Sequence, residues 1–154
     1  MRQLNKFQTF LFIFGGVLMV AGVGLYVFGV APKVVSIAFL VGAVLFGVMQ
    51  MMQRYEGKSL TIRRLRSIMT IADIAFILAG LMMAENSWHL LYQATVWHNP
   101  EVFNFEAHQN YMAYINNKWV VALLVAAVLE LYSINRISYE QKKEDRKTEK
   151  NIKD

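Results

Sequence analysis

Between Phe7 and Val30 the chain carries no charged side chain, and most of the stretch is apolar. A helix needs roughly 20 such residues to cross a hydrocarbon core. Long apolar runs recur at about 34–52, 66–97 and 119–137, the last two broken by isolated polar residues. The expectation is therefore an all-α integral membrane protein with four transmembrane helices in an up-down bundle. A length of 154 residues would suit one soluble domain, but 56% of them are hydrophobic and gathered in long blocks. Gly29-Val30-Ala31 offers the small residues of a signal-peptide cleavage site. A signal core runs only about 7–15 residues, however, so the first run reads as a retained helix.

The stretch Arg63–His98 organises the rest. Arg63, Arg64 and Arg66 lead into an apolar run, Ile68–Ala84, interrupted once by Asp73. The run ends in Glu85-Asn86-Ser87-Trp88-His89. Charge, then oil, then interfacial aromatics is the order of a helix that leaves the positive side of a bilayer. Trp88, Leu91, Tyr92 and Val96 repeat in helical register, which predicts that this helix continues to about 97. Asn99-Pro100 then stops it.

Ala31-Pro32-Lys33 breaks the chain between the first two spans, because proline disfavours helix at the preceding residue. The first two spans then form an antiparallel hairpin. Gly15, Gly16, Gly22, Gly24 and Gly29 on the first, with Ala38, Gly42, Ala43 and Gly47 on the second, suit close backbone approach in lipid. On the third span Arg66, Thr70, Asp73, Ile77, Gly80, Ala84 and Ser87 share one face. On the fourth, Ala122, Ala126, Glu130 and Ser133 do the same.

Residues 101–117 are expected to form a short interfacial amphipathic helix, with Phe103, Tyr111 and Tyr114 turned to the outer leaflet. Residues 138–154 are a charged, solvated tail. Lysine and arginine concentrate in the N-terminus, the loop from Arg54 to Arg66, and the tail from Arg136 onward. That side is cytoplasmic by the positive-inside rule, so both termini face the cytoplasm of a bacterial-type inner membrane. Membrane topology accounts for the net charge of +5 without a nucleic-acid partner. The same basic residues can touch anionic lipid headgroups.

Asp73 and Glu130 carry the most chemical interest. An ionised group at membrane centre costs at least about 2.5–3.5 kcal/mol, so each must face protein or water. Asp73 lies seven residues inside Arg66 and Glu130 six inside Arg136. At 1.5 Å per residue both sit about 9–10 Å from the cytoplasmic anchors, so they can approach each other. Gln50, Gln53, Thr70, Ser133 and Asn135 add to this polar inner third. Two readings compete. In the favoured one each acid pairs with Arg63, Arg66 or Arg136 and fixes helix packing. In the other the two carboxylates share a proton or hold a cation.

No cysteine is present, which removes thiolate chemistry. His89, His98 and His108 lack the three- or four-residue helical spacing of a zinc pair, and no histidine sits inside a span to hold haem. Phosphate loops, nucleophile elbows and H-E-x-x-H strings are absent. No cofactor and no catalytic residue is expected. The role read from the sequence is an accessory or scaffold subunit that binds a membrane-protein partner or a second copy of itself. The alternatives are a small transporter or ion pathway built on the carboxylates, and an enzyme acting on lipid.

Overall fold

The computed structural model describes residues 5–53, 59–96 and 103–153. Every regular element among them is helical, in the order α1 (Lys6–Val27), α2 (Pro32–Met52), α3 (Leu60–Trp88), α4 (Leu90–Val96), α5 (Phe105–Tyr114) and α6 (Trp119–Lys153). Four helices are long and apolar enough to cross a membrane, and the chain is a membrane protein on that ground. Arg54, Lys58, His98, Pro100 and Glu101 lie outside the described residues.

Asn5 starts α1 with a capping box, its side chain bonding helix amides while Gln8 returns to the Asn5 amide at 3.0 Å. Gly29 (φ 72°) turns the chain after α1. Ala31 (φ 42°) then places Pro32 at the first turn of α2, where a missing amide hydrogen costs nothing.

The glycines decide how α1 and α2 pack. A Cβ at Gly15 would lie 2.9 Å from the Phe46 amide nitrogen, and one at Gly42 would lie 2.9 Å from the Gly15 carbonyl oxygen. Gly22 meets Phe39 further along, so the two helices run antiparallel with backbones in near contact. Gly47 faces Asp73 and Gly80 faces Phe39 and Leu40, which fixes the antiparallel register of α2 on α3. The helix α6 packs along α3. Phe39, Ala43, Phe76, Ala79, Met83 and Ala126 form the main core. Ile62, Leu65 and Ile137 form a second cluster toward the basic end. The packing order is α1, α2, α3, α6, with α1 and α6 as the ends of the row. Those ends meet where the Tyr26 and Trp119 rings lie edge-on at 5.1 Å.

The third helix departs from its expected course at both ends. It begins at Leu60 rather than 66, and it stops at Trp88 instead of running to 97. His89 adopts a left-handed conformation (φ 53°). The cause is Glu85, whose carboxylate oxygens accept the amides of Leu91 at 2.9 Å and Tyr92 at 3.1 Å. A side chain that captures two amides beyond the break offsets the lost helix bonds. Apolar spacing alone carries no sign of this.

Between α4 and α6, α5 occupies 105–114 and packs on α4. Tyr111 is buried and points at Glu85, whereas Tyr114 is exposed, so the two do not share the outward face read for them. The last helix runs unbroken from Trp119 to Lys153. At 1.5 Å per residue its 35 residues extend about 52 Å, well beyond a hydrocarbon core of about 30 Å.

Candidate functional site: a buried carboxylate pair between a cavity and a groove

Gly47 is where the site begins. Its missing side chain lets Asp73 of α3 come so close that an added Cβ would sit 3.2 Å from the Asp73 Cβ. One turn later on α2, Gln50 reaches across to α6 and donates a 2.6 Å hydrogen bond to Glu130 Oε1. Asp73, Glu130 and Gln50 are all buried. Gly47 and Gln50, one turn apart on α2, thus lie against Asp73 and Glu130 respectively. Equal depth on antiparallel helices brings them together, as the residue spacing implies.

Their partners are not the expected ones. Among the described residues both Asp73 oxygens and Glu130 Oε2 are buried without a hydrogen-bond partner, and so are Ser133 Oγ and Arg66 Nε. Among the described residues neither acid is ion-paired. Arg136 instead pairs with Glu140, one turn along its own helix, at 3.2 Å. Arg63 and Arg64 are exposed. Seven residues of helix separate Arg66 from Asp73, about 10 Å along the axis, and among the described residues the two make no ion pair. Thr70 bonds the Arg66 carbonyl, and Asn135 is exposed and bonds the Leu131 carbonyl, so neither satisfies the acids.

Two spaces border the pair. A cavity of about 430 Å³ is lined by Gln50, Arg63, Arg66, Ser67, Thr70 and Asp73, among others. It is polar and large enough to hold water. A second space of about 380 Å³ runs between α1 and α6, below the Tyr26–Trp119 contact. Its wall is apolar except for Glu130. Asp73 thus faces the cavity and Glu130 the groove.

Glu85, at the polar, aromatic end of α3, is not among the residues the sequence singles out for a site. It is a buried hub, accepting the α4 amides and the Tyr111 hydroxyl at 3.1 Å. Burial, with the adjacent Glu85 carboxylate, pushes the Tyr111 phenol up to about 12. The Tyr92 hydroxyl lies 3.1 Å from His108 Nδ1, and His89 packs against the same ring. This cluster ties α3, α4 and α5 together. The clue in the sequence was an acid placed just before a run of aromatics.

Comparison of the chain with protein-family models, curated proteins and solved structures gives no match.

Proposed function

We propose that this is a small multi-pass protein of a bacterial-type inner membrane, an up-down bundle with both termini cytoplasmic, that works as a proton pathway through Asp73 and Glu130. One observation carries the reading: buried carboxylate oxygens without partners, at the wall of a polar cavity that reaches the basic end of the bundle. A buried charge without a partner is costly, and a helix bundle that needed only packing would be more stable with apolar side chains there. The cost is intelligible when the missing partner is exchangeable. A proton needs no coordination shell and neutralises the buried carboxyl it binds, so protonation through water in the cavity is the exchange proposed.

The test is proton flux into proteoliposomes under an imposed potassium diffusion potential. Flux that disappears in both Asp73→Asn and Glu130→Gln supports the reading. Equal flux in wild type and variants removes it.

The second reading is an accessory subunit of a larger membrane complex. It is supported by α6, which extends far beyond the length needed to span and whose sequence past Ile137 is rich in charged residues of the kind a soluble partner can engage. Co-purification in mild detergent tests it, and loss of a stable partner on truncation after Ile137 is the expected result. The outer segment from Phe103 to Asn117 fits an interfacial position through Phe105, Met112 and Tyr114, which are exposed.

A further inference from the structure

We infer that the groove between α1 and α6 binds a hydrophobic monocation, held by Glu130 and entering sideways from the membrane. The inference rests on Glu130 being a working carboxylate and adds the class of ligand. Four features point to it. The groove has a drug-sized volume, about 380 Å³. Phe46 and Phe76 present aromatic surface to it, which attracts a desolvated cation. Among the described residues the only charged one in its wall is Glu130, 6% exposed, whose Oε2 is buried just beneath that wall without a hydrogen-bond partner. Finally, Gly16 and Ala127 face the space from opposite helices and keep it open.

Charge decides between occupants. A hydrophobic anion meets an uncompensated carboxylate in an apolar wall and is repelled. A neutral acyl chain fills the space but leaves Glu130 Oε2 unsatisfied. A cation with an apolar body satisfies both, and it need not pass the arginines, which line the cavity on the other side of the pair. The arrangement separates two routes: protons reach Asp73 from the basic end, and the ligand reaches Glu130 from the lipid.

The experiment is equilibrium binding of radiolabelled tetraphenylphosphonium to the purified full chain in detergent. Tetraphenylborate, of the same shape and opposite charge, is measured in separate samples as the control. The expected result is one saturable phosphonium site per chain and no saturable binding of tetraphenylborate. Affinity should fall at least about tenfold in Glu130→Gln, a loss of about 1.4 kcal/mol or more. A similar loss is expected in Ala127→Leu, which fills the groove, with helicity and monodispersity unchanged. Should Ala127→Leu fail to fold, Gly16→Leu fills the same space from α1. Equal binding of the borate, or binding indifferent to Glu130→Gln, marks an acyl-chain or self-association surface and overturns the inference. Proton flux that depends on Asp73 and Glu130 but comes without phosphonium binding removes the groove assignment alone. Absence of both removes the carboxylate reading beneath it.

Discussion

Gln50 and Glu130, eighty residues apart in the chain, are joined by a 2.6 Å hydrogen bond between buried side chains. It links α2 to α6 across α3, and it satisfies one oxygen of a carboxylate whose other oxygen has no partner among the described residues. Replacing Gln50 by Leu leaves both oxygens unsatisfied. The expected loss is about 1–3 kcal/mol, read as a lower midpoint of thermal unfolding by circular dichroism in detergent. A midpoint equal to that of wild type contradicts the bond's structural weight.

Gly47 and Gly24 make a matched pair of tests. A Cβ at Gly47 falls 3.2 Å from the Asp73 Cβ, whereas one at Gly24 meets nothing within 4 Å. Gly47→Ala is predicted to push α3 from α2, to cost about 1–3 kcal/mol and to impair any Asp73-dependent activity. Gly24→Ala is predicted to be neutral or to stabilise by up to about 1 kcal/mol. The comparison fails if both variants unfold alike.

The four spans were legible because uncharged runs of that length have few other uses, and the matched depth of Asp73 and Glu130 followed from counting residues. Burial of Ala126, Glu130 and Ser133 on one face of α6 also agrees with their spacing. The pairing of Gln50 with Glu130 was not legible, because rotation of one helix about its axis against another is set by tertiary contacts such as Gly47 on Asp73. The arginine partners were misread for a related reason. Distance along a helix says that Arg66 is nearby, but not whether it pairs with Asp73, and among the described residues it does not. The break at His89 was hidden because Trp88, Leu91, Tyr92 and Val96 keep helical spacing across it, while a carboxylate at Glu85 interrupts the hydrogen bonds.

Glu85→Gln tests that last point. The neutral amide accepts hydrogen bonds more weakly than the carboxylate now bound to the Leu91 and Tyr92 amides and the Tyr111 hydroxyl. Faster hydrogen exchange at Leu91 and Tyr92, with α2 unchanged, is the predicted outcome. Unaltered protection there contradicts the hub assignment.

Alkaline pH probes the same hub. The folded Tyr111 phenol is raised from 10.0 to about 12, so the fold favours its neutral form. Its contribution is fully present below pH 10 and is lost as pH rises toward 12, because the unfolded chain ionises first. Between pH 9 and 11 the wild-type midpoint should therefore fall further than that of Tyr111→Phe. Parallel slopes for the two proteins would show that Tyr111 is not held neutral.

Proton flux tests the central claim most directly. Proteoliposomes loaded with a pH-sensitive dye and subjected to a potassium diffusion potential should acidify faster with wild type than with Asp73→Asn, at equal reconstitution and comparable thermal stability. Wild-type flux no greater than that of Asp73→Asn, in vesicles of demonstrated tightness, would contradict a proton pathway through the Asp73–Glu130 pair.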